Sequence, residues 1–168
     1  IDATFDNPNY WLRVSFILAA LGIKGDQCIG YLGPFRRKQQ ITTLKRFGVS
    51  RYVDMVSGEN LDQSQKIAKD LLSKTTKDSD IISWNLPYNL PGSLVYDYVL
   101  KRQNHAHVQL GDQRNAEWVT EMILGAENSM RTISKYNPKL IISSHSVGLC
   151  GAMTWLGLRQ GVRSLIPH

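Results

Sequence analysis

The stretch that decides the fold is Leu140-Ile141-Ile142, followed by Ser143-Ser144-His145-Ser146-Val147-Gly148, a helix-like segment through Trp155, and Arg159-Gln160-Gly161-Val162. Its order is strand, polar loop, helix, strand. In open α/β sheets, ligands bind in the crevice beyond the carboxyl ends of the strands, so this one stretch predicts both an architecture and a site. Ser164 to Ile166 reads as the start of a further strand, with Pro167 and His168 after it. The expectation is a single domain over 1–168, part of a longer two-domain chain.

Upstream, the same alternation repeats. Tyr10 to Leu21 carries Trp11, Val14, Leu18 and Leu21 at helical spacing behind Asn7-Pro8-Asn9, an amino-terminal stop signal. Gln27 to Tyr31 is a short apolar strand; Gly33-Pro34 breaks it, and Phe35 to Phe47 resumes as a basic helix closed by Gly48. Arg51 to Met55 reads as a second strand, Asn60 to Ser73 as an amphipathic helix, and Ile81 to Trp84 as a third strand. The turn-rich Asn85-Leu86-Pro87-Tyr88-Asn89-Leu90-Pro91-Gly92 leads into a short helix around Ser93 to Lys101. The longest helix runs from Ala116 to Tyr136, with Trp118, Met122, Ile123, Ala126, Met130 and Ile133 on its apolar stripe, and Asn137-Pro138 ends it. Strands separated by helices imply right-handed crossovers and a mostly parallel sheet covered on both faces. The predicted class is therefore α/β, a Rossmann-like three-layer domain.

With 168 residues, 42% of them hydrophobic, the chain suits one domain with a core large enough to fold unaided. Cys28 and Cys150 follow no metal-ligand or redox spacing and sit in apolar contexts, which points to buried reduced thiols and a reducing, cytoplasmic compartment. The apolar run Val14 to Ile23 is too short to span a bilayer. Asp2 and Asp6 ahead of it, with no small-residue cleavage site behind, argue against a signal peptide. Twenty Lys and Arg against fourteen Asp and Glu give a formal charge of +6, with Arg36, Arg37, Lys38, Lys45, Arg46 and Arg51 crowded into one segment. Nucleic acid, an anionic membrane surface, a nucleotide sugar and an acidic glycan all fit such a field, as does a plain solvated helix face.

Several chemistries are excluded by pattern. No Gly-x-Gly-x-x-Gly follows the first strand, and no Gly-Lys-Ser/Thr stands at a glycine-rich turn, which removes nucleotide hydrolysis by a phosphate-cradling loop. Neither Ser144 nor Ser146 has the flanking glycines of a nucleophile elbow. His105 and His107 have no carboxylate or thiolate in the flanking Asn104 and Gln109, so a surface loop explains them better than a metal. Neither metal nor cofactor is expected.

Gly92-Ser93-Leu94-Val95-Tyr96-Asp97-Tyr98-Val99-Leu100-Lys101-Arg102 resembles a segment of glycosyltransferases that act in capsular and surface-polysaccharide biosynthesis: a glycine, an apolar residue, Tyr-Asp, and soon an Arg. The chain is similar to them again at Ser144-His145 ahead of a glycine-containing helix, at Arg159-Gln160-Gly161, and in Gly30-Tyr31-Leu32-Gly33 with Arg46-Phe47-Gly48. The Pro87 to Pro91 loop departs from their pattern, which has a glycine and a polar or acidic residue before the Tyr-Asp. The resemblance implies the amino-terminal, acceptor-side half of a two-domain GT-B enzyme, inactive alone. A carboxyl-terminal domain would bind the sugar nucleotide. The implied partners are a glycan or lipid-linked acceptor and, at the inner face of the cell membrane, an anionic lipid surface; no specific nucleic acid is expected.

Glycosyl transfer with inversion needs a general base near the acceptor hydroxyl, and His145 or Asp97 could take that proton. His145 is the better placed of the two, because its loop is predicted at the carboxyl edge of the sheet; the competing reading is a packing or capping histidine. Ser144 and Ser146 read as caps for the following helix, with spare amides left to hold an anionic substrate oxygen. Asp97 and Arg102 are five apart, the wrong spacing for a helical ion pair, so each is free to face something else. Tyr96 and Tyr98 offer faces for a sugar ring, or packing. Arg13 and Arg36 are the candidate hands for phosphate or carboxylate, and Asn85 completes the acceptor-binding set. A second class of function is a non-catalytic Rossmann-like module that binds an anionic polymer or partner through the basic helix Phe35 to Arg46. A third, a methyl or pyruvyl transferase, lacks its cofactor fingerprint.

Overall fold

The computed structural model describes residues 1–167. His168, the last residue of the carboxyl-terminal run discussed above, lies outside the described residues. The fold is mixed α/β, in the order α1 (Pro8–Ala20), β1 (Ile29–Leu32), α2 (Arg37–Arg46), β2 (Arg51–Asp54), α3 (Leu61–Ser73), α4 (Gly92–Gln103), α5 (Asn115–Tyr136), β3 (Leu140–Ile142), α6 (Gly148–Arg159) and β4 (Arg163–Leu165). The start of α1 shows how local sequence sets an element. Asn7 accepts the Asn9 N–H at 2.8 Å, Pro8 occupies the first turn, and Tyr10, Trp11, Val14 and Leu18 turn one face inward.

β1 pairs with β2 and β3 with β4, both in parallel. Each pair alone would leave backbone groups unmatched along its inner edge. Residues 1–3 fill that gap. Tyr31 N–H donates to Ile1 O at 2.8 Å and Ala3 N–H to Tyr31 O at 3.1 Å, while Asp2 N–H donates to Ile142 O at 2.9 Å. The spatial order is therefore β2, β1, residues 1–3, β3, β4, with Asp2 parallel to Tyr31.

Neighbouring side chains along a strand point to opposite faces. Tyr31 and Ile141 enter the larger core, which they share with Met55, Val95, Met122, Leu156 and others from α3–α6. Leu32 and Ile142 enter the smaller core with Tyr10, Trp11, Val14 and Leu18 of α1 and Leu44 of α2. Helices thus cover both faces.

The predicted strand over Ile81 to Trp84 is not one. Asp78–Ser83 is a 3-10 turn, closed by the Asp80 carboxylate accepting the Lys77 N–H at 2.9 Å and the Thr76 N–H at 3.2 Å. Ile81 is buried and Ile82 exposed. A run this short carries no period that separates strand from turn.

Candidate functional site

Asp2 is the centre of a buried polar cluster. Its strand segment delivers it beside the loop that follows β3, where the Ser144 N–H donates to Asp2 Oδ2 at 2.9 Å and the Ser144 hydroxyl donates to the same oxygen. Asp2 Oδ1 takes the Thr4 N–H at 2.8 Å. Among the described residues no arginine or lysine forms an ion pair with Asp2; three donated hydrogen bonds hold its carboxylate, and the Ile1 ammonium next to it in sequence contributes electrostatically. Outside this core, Ser144 Oγ lies 2.9 Å from His145 Nδ1 and 3.3 Å from Thr4 Oγ1, and Thr4 Oγ1 lies 3.3 Å from Cys150 Sγ. Burial, and then Asp2, push the Cys150 thiol up, so it carries its proton at neutral pH. The Tyr10 phenol, which donates to Asp2 O at 2.8 Å, is pushed up in the same way, burial first.

The half-buried His145 packs edge-on against Phe5, ring centres 4.7 Å apart. Behind it the loop is pressed onto α6. A Cβ on Gly151 would run into the Ser146 carbonyl, and Gly148, with φ at +57°, lies so close to α4 that its Cβ would stand 3.0 Å from the Tyr98 ring. These glycines let the loop approach both helices.

Tyr98 opens a second group. Its hydroxyl donates to Glu121 Oε2 at 2.6 Å, and Arg102 pairs with the same carboxylate at 3.0 Å. The Arg102 guanidinium also stacks 4.6 Å from the Phe35 ring centre and 4.9 Å from that of Tyr98. Burial, then Glu121, push the Tyr98 phenol up and keep it neutral. Phe35 follows β1, and with Pro34, Arg36, Trp11, Thr4 and Gln39 it lines a cavity of about 250 Å³. Contacts therefore run from Thr4 through Ser144 to His145, and from Gly148 through Tyr98 and Arg102 to Phe35, which lines the same cavity as Thr4.

Of the residues chosen from sequence, Ser144, His145, Tyr98, Arg102 and Arg36 come together at this edge. Others do not. The side chains of Asp97 and Asn85 are exposed and make no hydrogen bond among the described residues. Tyr96 donates to Asp78 at 3.1 Å, a contact between α4 and the 3-10 turn. Arg13 stands exposed on α1. The capping role read for Ser144 and Ser146 is corrected: Val147 is the cap residue of α6, and among the described residues neither serine hydroxyl donates to or accepts from its first amides. Ser144 instead meets a carboxylate, a stronger acceptor, and Ser146 is exposed.

Asp2, Thr4, Phe35 and Glu121 belong to the site and were not singled out. Asp2 and Thr4 flank Ala3 just ahead of a capped helix, where a residue-by-residue reading sees only a helix lead-in. The sole signal was their place at one end of a segment that an α/β alternation leaves room to call a strand. Compared with known family models, with curated proteins and with solved structures, the chain matches none.

Proposed function

We propose that the chain is the acceptor-side half of a GT-B type glycosyltransferase of cell-surface polysaccharide assembly, a Rossmann-like three-layer domain in which His145 is the general base. The observation that carries this reading is the two runs of contacts that flank one cavity at an edge of the strands. Ser144 with His145, and Tyr98 with Arg102, come from two separated stretches, both singled out by resemblance, and reach through Thr4 and Phe35 the lining of a cavity at the carboxyl ends of residues 1–3 and β1. Phe35, 57% exposed, and Tyr98 offer aromatic faces to a sugar ring, and Arg36 and Arg102 offer charge to an acidic group on it. In a GT-B arrangement the sugar nucleotide is held by the other half and acts across the cleft from this edge. No helix among the described residues is long and apolar enough to cross a membrane. A lipid-linked acceptor would be met at the membrane surface.

The test combines binding with transfer. A titration of the labelled chain with glycans and nucleotide sugars should move resonances of His145, Tyr98 and Arg102 with an acceptor glycan, and His145→Ala should lower transfer by the two-domain enzyme about 100-fold or more. A different observation favours the alternative of a polyanion-binding module: Arg36, Lys38, Lys45 and Arg46 are all exposed on or beside α2. Binding of unrelated polyanions that weakens steeply with salt, with no glycan response at His145, would replace the transferase reading by that one.

A further inference from the structure

The proton count at Ser144 decides how His145 is presented. A serine hydroxyl has one hydrogen to donate and two lone pairs with which to accept. Four groups surround this one: Asp2 Oδ2, His145 Nδ1 at 2.9 Å, Thr4 Oγ1 at 3.3 Å and, furthest, Cys150 Sγ at 3.9 Å. The Asp2 carboxylate can only accept, and a hydrogen bond to a carboxylate outcompetes one to a neutral ring nitrogen. Ser144 therefore spends its hydrogen on Asp2. What remains on Ser144 Oγ is acceptor capacity, so His145 must present N–H, not a lone pair, from Nδ1. The protonated Cys150 thiol, 3.3 Å from Thr4 Oγ1 and 3.9 Å from Ser144 Oγ, adds a donor to the group and makes no demand on the Ser144 hydrogen.

We propose that Asp2, acting through Ser144, is a positioning residue that holds neutral His145 as its Nδ1–H tautomer, making Nε2 the atom that accepts a proton. The arrangement does for this ring what an acceptor carbonyl or carboxylate at Nδ1 does elsewhere, with a hydroxyl interposed. It also places the Asp2 charge where it favours the ring once Nε2 has taken a proton, because Ser144 relays the polarity of the carboxylate. The proposal deepens the reading of His145 as a base and rests on it only for the use made of Nε2. The tautomer itself is a property of the chain without any sugar.

Ring nitrogen shifts of the ¹⁵N-labelled chain, recorded where its histidines are neutral, test this directly, with His145 identified by the signals lost in His145→Ala. The expected result is Nδ1 in the protonated range and Nε2 in the unprotonated range, the reverse of the tautomer that free histidine favours. Ser144→Ala keeps two of the three hydrogen bonds to the Asp2 carboxylate, from the Thr4 and Ser144 N–H groups, and should shift His145 towards Nε2–H. A wild-type ring that is mainly Nε2–H, or evenly mixed, overturns the proposal, as does an Nδ1–H ring unchanged in Ser144→Ala. Should Ser144→Ala not fold, the wild-type spectrum decides alone. An Nδ1–H ring in a chain that binds no glycan supports the positioning role and removes the transferase reading; an Nε2–H ring in a chain that binds glycan does the opposite.

Discussion

On one face of the strands, α3–α6 enclose Met122, Val119, Leu156 and Ile81, none more than 1% exposed. On the other, α1 and α2 close a smaller core around Val14 and Leu44, both fully buried. The cavity beside the Asp2 cluster opens on this thinner side, between α1, α2 and the loops. The contrast is one of local stability: few buried apolar contacts mean that a segment opens at low cost, while a deep core opens only with the whole domain. The thick face holds the strands in place, and the thin face leaves their carboxyl edge accessible.

The comparison breaks first, and by the largest amount, on core truncation. Met122→Ala on the thick face should cost about 2–5 kcal/mol by urea unfolding. Ile17→Ala, on a half-buried position of α1, should cost no more than about 1.5 kcal/mol; equal losses would mean the two faces are equally strong. Next comes the edge itself. Arg102→Ala leaves Glu121 and Tyr98 without their shared donor and should cost about 1–3 kcal/mol in the same assay, with Arg102→Lys restoring only part because a lysine cannot keep the planar stack on Phe35.

A smaller effect is expected at high pH. Folding raises the Cys150 thiol above its ordinary value of 9.0 and the Tyr98 phenol above 10.0, mainly by burial. A raised group contributes stability that is intact below its unfolded value and lost as pH climbs towards its folded one. Thermal unfolding should therefore show a stability that declines above about pH 9, and Tyr98→Phe should flatten part of that decline. The smallest effect is expected at low pH. The Lys77 and Thr76 amides hold the Asp80 carboxyl below its ordinary 3.8, so its contribution is present above that value and lost as pH falls through the lowered one. Asp80→Asn should remove this slight acid dependence and leave the neutral melting temperature nearly unchanged.

Much of the fold was legible because it depends on short-range pattern. β3, the loop after it, α6 and β4 fall where periodicity and the Gln160-Gly161 turn put them, and α5 begins one residue before its predicted start. Two elements were misread for the same reason. Ile81-Ile82 is too short to show a period, and Ile1-Asp2-Ala3 is shorter than any alternation can mark, although it is the piece that joins the two strand pairs. The site was legible to the same extent. His145, Ser144, Tyr98 and Arg102 stood out by residue type and position, whereas Asp97 is placed on the exposed side of α4 by the helical turn that sends Tyr98 inward to Glu121.

The sequence by itself determined the alternation of strands and helices, the two buried thiols and a polar loop with His145 at a strand's carboxyl end. Those follow from residue type and from spacing within a few turns of chain. Only the tertiary structure decided that Asp2 meets Ser144, that Glu121 meets Tyr98 and Arg102, and that Phe35 lies over Arg102. Each of these pairs joins residues far apart in the chain, and which carboxylate reaches which donor depends on how the strands pair and the helices pack, which no local pattern encodes.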